Sequence, residues 1–262
     1  MNSNKIIAIA NQKGGVGKTT TACNLGHALT RLGNSVLMID FDPQANLSMS
    51  VGIEYPDELP MSMPSLLSFV MEDAKLPDKM DYIHKANLMD IIPSSIELAV
   101  SEIRLRDEMG GENTLKSLLE PLRNDYDYII IDTNPYLGLL TINALVACDE
   151  VIIPVSPQLW SAVGLTDLLG TISKVKRKLN PNISISGILL TICDDRTRLF
   201  KEAQSLILDT YGDKLRVFDN HIPSTIKVGE ANYASKSIFD YAPDNKVAVA
   251  YESLAREVIL NV

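Results

Sequence analysis

The chain has 262 residues, 46% of them hydrophobic and 22% charged, enough to bury a large core with neither disulfides nor a structural metal. Its three cysteines, Cys23, Cys148 and Cys193, lie far apart, which excludes a disulfide framework and a cysteine-built metal site. The formal net charge of −9 argues at first against a polyanionic partner.

In chain order, the sequence opens with an apolar, β-branched run at 5–11 that reads as a buried strand. A glycine-rich loop at 12–20 follows and runs into a helical pattern at 19–32 closed by Gly33. Residues 35–40 form a second strand ending in the segment DFDPQAN. Residues 54–80, with Pro56, Pro60, Pro64 and Pro77, read as an irregular surface excursion. Strands are expected at 87–92, 128–132, 150–155 and 183–191, and helices at 95–107, 113–123, 138–147, 162–179 and 199–210. A last helix places Val247, Ala250, Tyr251, Leu254, Ala255 and Val258 on one face, which suits docking into the core. The strands are continuously apolar rather than alternating, so both faces of their sheet should be covered. That pattern predicts an α/β fold, a doubly wound and mainly parallel sheet flanked by helices. No repeat or linker divides the chain, so residues 1–262 are expected to form a single domain.

Charge is segregated along this order. Residues 54–112 carry thirteen acidic and five basic side chains, a net of −8, whereas residues 171–201 carry seven basic and two acidic, a net of +5. No leader pattern opens the chain, and no apolar run approaches about 18 residues. A cytosolic, soluble protein is expected.

The strand at 5–11, the loop KGGVGKTT and the helix behind it provide the context that a phosphate-binding loop requires. Its glycines let successive N–H groups turn inward, and a helix N-terminus favours an anion. Lys18 is placed to reach β- and γ-phosphates, and the Thr19 hydroxyl to reach Mg²⁺. The first position of the usual pattern GxxxxGK(S/T) is Gln12, and an extra lysine, Lys13, stands inside the loop. Asp40 and Asp42 lie at the C-terminal end of a strand, where open α/β sheets bind ligands. The strand YIIID ends in Asp132, a position suited to holding Mg²⁺ through water.

KGGVGKTT resembles the signature of the ParA/MinD family of deviant Walker P-loop ATPases, and DFDPQAN resembles that family's DxDPQxN motif. The resemblance runs from Ile6 to Val258. It implies ATP and Mg²⁺ as ligands, weak intrinsic ATP hydrolysis, and a nucleotide-sandwich homodimer when ATP is bound. It makes Lys13, Gly14, Gly15, Val16, Gly17, Lys18, Thr19 and Thr20 the nucleotide-binding loop, with Lys13 reaching the partner's phosphates. Lys13, Lys18 and Asp42 become the catalytic set, Asp42 positioning the hydrolytic water. Thr19, Asp40 and Asp132 become the metal shell.

The segment TNPYLGLLTINAL resembles the family run that follows this aspartate, with Asn134 in place of a proline and Tyr136 in place of a serine. VFDNHIPSTIKVGEA resembles the adenine-packing segment and assigns Pro223 and Thr225 to the nucleotide, although Ser224, Thr225 and Lys227 replace the usual Arg, Asn and Arg. Arg196 stands where ParA proteins contact DNA, and with Lys227 and the basic helix at 174–178 it suggests a phosphate-binding stripe. A ParA-like DNA-segregation ATPase is expected, nucleoid-associated, stimulated by a ParB-like partner and without stable membrane association. A MinD-like membrane or protein-cargo positioning ATPase is the alternative. Enzymes built on the same core form a third class, for which the cysteines offer no cluster ligands.

Overall fold

The computed structural model describes residues 4–157 and 162–260; the ends of the expected single domain and its residues 158–161 lie outside these. Seven strands, β1 (Lys5–Ile9), β2 (Val36–Phe41), β3 (His84–Ala86), β4 (Met89–Ile92), β5 (Tyr128–Thr133), β6 (Glu150–Val155) and β7 (Ser184–Leu190), form one sheet. Their order is β3-β4-β2-β5-β1-β6-β7. Every pairing is parallel except β3 with β4.

Alternation along β1 explains why both faces are covered. Ile6 and Ala8 join a core with Leu66, Leu115, Leu140 and Leu168, from the helices Met63–Met71, Thr114–Leu119, Leu139–Ala147 and Ala162–Lys178. Ile7 and Ile9 point to the opposite core, shared with Leu25 and Leu29 of helix Lys18–Arg31 and with Tyr251 and Leu254 of helix Lys246–Leu260. Each fully buried isoleucine of β1 contributes roughly 1.5–3 kcal/mol of transfer free energy. The helix Lys246–Leu260 thus docks on the loop-bearing helix with the apolar face read from the sequence. Thr21 Oγ1 meets the Tyr251 hydroxyl at 3.3 Å between them.

The excursion at 54–80 is more ordered than its prolines suggested. Pro64 sits in the first turn of helix Met63–Met71, where its missing N–H and fixed φ are tolerated. Met63, Leu66 and Leu67 are fully buried. The helix expected at 113–123 is α-helical over Thr114–Leu119 and continues as a 3-10 turn over Glu120–Asp125, with Pro121 in that tighter turn. The edge strand β3, three residues long, was too short to carry a periodicity.

Candidate nucleotide site

Register sets the site. β5 lies between β2 and β1, so Asp132 is level with Asp40 on one side and with Ile9 on the other. Both aspartates therefore lie on one side of the point where the chain leaves β1 for the glycine-rich loop, Asp132 on the adjacent strand and Asp40 one strand further out. In that loop Gly15 and Gly17 have φ of +73° and +80°, a left-handed backbone that a side chain disfavours. Gly17 is the N-cap of helix Lys18–Arg31, whose first turn holds no acidic residue, so the positive end of the helix faces the cleft uncompensated.

Three hydrogen bonds hold the loop in shape, one local and two to other elements. Asn11 Nδ2 donates to the Pro154 carbonyl at 2.7 Å, and Asn11 Oδ1 accepts from the Lys13 N–H at 3.0 Å. Thr191 Oγ1 donates to the Val16 carbonyl at 2.8 Å. Lys18 is buried, and its Nζ donates to the Lys13 carbonyl at 3.1 Å. Burial lowers its pKa, opposed by the charges of Asp132 and Asp42. Lys13 by contrast is exposed and makes no ion pair among the described residues.

Asp132 is fully buried, and neither carboxylate oxygen has a hydrogen-bond partner. Burial first, then the Asp40 charge, pushes its pKa well above the ordinary carboxylate value. The Thr19 hydroxyl and Lys18 offset this only in part. An orphaned buried carboxylate beside a threonine hydroxyl is a donor set that suits a hard divalent cation. Among the described residues no three His, Cys, Asp or Glu side chains converge on one point. The protein therefore supplies part of a shell, as fits an ion that phosphate oxygens and water would complete.

Asp42 is 7% exposed, and its Oδ1 accepts from the Gln44 N–H at 2.9 Å. Asp42, Gly14, Gly15, Lys18, Thr19 and Thr20 line one cleft of about 370 Å³. Asp40 is turned inward instead. Its Oδ2 accepts from both the N–H and the hydroxyl of Ser48, and its Oδ1 from the Asp42 N–H. Burial raises its pKa to about 6 against these hydrogen bonds. The metal-shell role expected for Asp40 thus meets a carboxylate already engaged by the protein.

A second slot of about 170 Å³ opens beside the loop, lined by Gly17, Thr20, Pro223, Thr225, Val228 and Gly229. The backbone holds it: Cys193 N–H donates to the Ile222 carbonyl and Ser224 N–H to the Cys193 carbonyl. Thr225 caps helix Ile226–Tyr233, its hydroxyl accepting from the Lys227 N–H. The departures at 134 and 136 have distinct outcomes. Asn134 is buried and its Oδ1 accepts from Thr141 Oγ1 at 3.0 Å, so a hydrogen bond restrains the loop where a proline would; Tyr136 is 71% exposed.

The two cations assigned to DNA are exposed but engaged within the chain. Arg196 forks onto Asp194, with Nε and Nη2 at 2.9 and 3.0 Å from its two carboxylate oxygens. Lys227 pairs with Glu230 at 2.7 Å and lies over the Tyr241 ring. By contrast Lys174, Lys176, Arg177 and Lys178, at the end of helix Ala162–Lys178, are exposed and make no ion pair among the described residues. Sequence reasoning missed Asn11, Ser48 and Thr191, because each acts through a fold contact and none belongs to a motif.

An open, mainly parallel sheet with a glycine-rich loop on a central strand, a buried loop lysine and two strand-end aspartates beside it defines a P-loop nucleoside triphosphatase. The family model described as "AAA domain" matches residues 4–185. The sporulation initiation inhibitor protein Soj of Bacillus subtilis is 42% identical over 257 residues, 98% of this chain and 99% of its own length. The chromosome partitioning protein ParA of Caulobacter vibrioides is 38% identical over 97% of this chain and 94% of its own. Among solved structures, cobyrinic acid a,c-diamide synthase of Mycobacterium smegmatis with bound ADP and magnesium superposes with a TM-score of 0.84 at 34% identity, covering 97% of this chain and 94% of that one. The septum site-determining protein MinD of Pyrococcus horikoshii, complexed with Mg-ADP, gives 0.75 at 27% identity, covering 97% and 95%. The chain belongs to the ParA/MinD family and is a P-loop ATPase that uses ATP and magnesium.

Proposed function

We propose that this ATPase, acting as one domain, segregates DNA: ATP binding joins two protomers face to face, the dimer holds DNA without reading sequence, and a ParB-like protein stimulates hydrolysis. The observation that carries this reading is the pair of lysines on one loop, Lys18 buried in the cleft and Lys13 exposed. Lys18 neutralises the β- and γ-phosphates of its own nucleotide, and Lys13 reaches those of the facing protomer, where a cation offsets charge developing on the transferred phosphoryl. Loop N–H groups from Gly14 to Thr20 cradle the phosphates, while Pro223 and Thr225 border the base. Asp42 orients the attacking water. Thr19 and Asp132 would hold the magnesium ion, which supplies charge neutralisation at the phosphates when bound.

The curated relatives described as partitioning proteins support a DNA cargo and a nucleoid location. So do the four unpaired cations from Lys174 to Lys178, since side chains of this kind hold the phosphate backbone. A bilayer is the less favoured surface, because the apolar face of helix Lys246–Leu260 is packed in the core. Co-sedimentation with DNA in ATP, in ADP and without nucleotide tests the proposal. Retention in ATP alone is expected; no retention in any state would redirect the reading to a protein cargo.

A further inference from the structure

Ser48 is fully buried in the short helix Asn46–Ser50 that follows the Asp42 loop. Its N–H and its hydroxyl both reach Asp40 Oδ2, at 2.8 and 2.7 Å. The same hydroxyl oxygen accepts from the Ser94 N–H at 3.1 Å. A backbone N–H can only donate, so the single Ser48 proton is committed to Asp40. Asp40 Oδ1 in turn accepts from the Asp42 N–H at 3.3 Å. One buried chain of hydrogen bonds therefore links Asp42 to the segment leaving β4.

Beyond Ser94 the linkage continues outward. The Pro93 carbonyl accepts from the Met63 N–H at 2.8 Å, at the start of helix Met63–Met71. The Ile96 N–H donates to Asp57 Oδ1 at 2.8 Å on the acidic surface.

We infer that Ser48 is a positioning residue for ATP hydrolysis: through Asp40 it fixes the backbone that carries Asp42, and through Ser94 it ties that loop to the outer helices. The inference rests on the water-orienting role proposed for Asp42. Removing the hydroxyl takes a charge-assisted bond from a buried carboxylate and leaves the Ser94 N–H unpaired. The glycine-rich loop and Lys18 are untouched by it, so turnover falls while nucleotide affinity holds.

The test compares wild type, Ser48→Ala, Ser48→Thr, Asp40→Asn, the Ser48→Ala/Asp40→Asn double variant and Asp42→Ala. Steady-state hydrolysis gives kcat and KM, and a fluorescent ATP analogue gives affinity. Ser48→Ala is expected to lose about tenfold in kcat, the cost of one such hydrogen bond, with analogue affinity within about twofold of wild type. Ser48→Thr, which keeps the hydroxyl, returns most of kcat. The double variant is no slower than the slower single one, as required of two groups acting through one bond.

Wild-type turnover in Ser48→Ala overturns the inference. So do additive losses, or equal losses of affinity and kcat without rescue by threonine. If Ser48→Ala does not fold, Asp40→Asn decides, and unchanged turnover in that variant overturns it. Asp42→Ala separates the two readings: turnover at the wild-type rate there removes the role of Asp42 itself, whereas an inactive Asp42→Ala beside a normal Ser48→Ala removes only Ser48.

Discussion

Thr191 and Val16 are 175 residues apart in sequence and joined by a 2.8 Å hydrogen bond, side-chain hydroxyl to loop carbonyl. The bond fixes the peptide that precedes Gly17, and so the direction of the N–H groups that open helix Lys18–Arg31. Thr191 also lines the slot beside Pro223. The shape of the phosphate loop is thereby set partly from the far end of β7.

Thr191→Val keeps the volume and removes the donor, leaving a buried carbonyl without its partner, a loss of about 1–3 kcal/mol. Nucleotide binding should weaken by roughly tenfold with a smaller change in kcat, and Thr191→Ser should restore it. Isothermal titration with ATP makes the comparison. An unchanged affinity in the valine variant would mean that the loop holds its shape without this brace.

Lys18 and Lys13 should separate cleanly on mutation. Lys18→Ala removes the buried cation beside Asp132 and Asp42 and should abolish ATP binding. Lys13→Ala should bind ATP normally, lose hydrolysis and weaken the ATP-dependent dimer, because in the proposed dimer its charge acts on the facing protomer. Calorimetry with phosphate release and size exclusion reads all three properties. Wild-type hydrolysis by Lys13→Ala would reduce Lys13 to an ordinary surface lysine.

His27 supplies a pH dependence of stability. It is buried in helix Lys18–Arg31, its Nε2 has no hydrogen-bond partner, and burial lowers its pKa from 6.5 to about 4, with Asp240 opposing and Arg31 assisting. The folded state resists protonating this ring, whereas the unfolded chain does not. Its contribution is therefore whole above pH 6.5 and is lost as pH falls toward 4, about 2 kcal/mol by pH 5. Asp40 acts in the opposite direction over part of this range, since its pKa is raised from 3.8 to about 6. Urea denaturation of wild type and His27→Leu at pH 7.5 and 5 isolates the histidine, because Asp40 is common to both. The leucine variant should lose less stability on acidification by about that amount, and parallel losses would refute the assignment.

On DNA, the unpaired cations should matter more than Arg196. Releasing Arg196 from Asp194 costs little at an exposed site, so it remains available, but Lys174, Arg177 and Lys178 need no release. A triple change of these three to Glu should lower the slope of log affinity against log salt by about 0.9 for each phosphate left without its cation. Arg196→Glu should lower it by the amount that a single phosphate carries. A filter-binding series in ATP measures both slopes, and an unaltered slope in the triple variant would place the DNA surface elsewhere.

The glycine-rich loop, DFDPQ and the aspartate of YIIID were readable because each is a local signal, a fixed spacing after a buried strand. The helix Met63–Met71 was hidden by a proline, Pro64, whose position in the first turn is harmless. The inward turn of Asp40 was not readable, since its partner Ser48 belongs to no pattern and the Ser94 hydrogen bond depends on β4 lying beside β2. The self-pairing of Arg196 and Lys227 was likewise hidden: acidic residues two and three positions away along the chain neutralise cations whose type alone suggested phosphate.

The central position of β1 bears on how the molecule is made. Lys5 pairs with Tyr128, and Ile7 with Glu150, so this strand has no partner among the residues that immediately follow it. At ribosomal rates of about 5–20 residues per second, on the order of ten seconds pass between synthesis of β1 and emergence of β5. During that interval an apolar, β-prone segment waits unpaired, the kind of edge on which nascent chains associate wrongly. The glycine-rich loop that follows this strand waits longer still, since the residues that brace it, Pro154 and Thr191, are synthesised after β5.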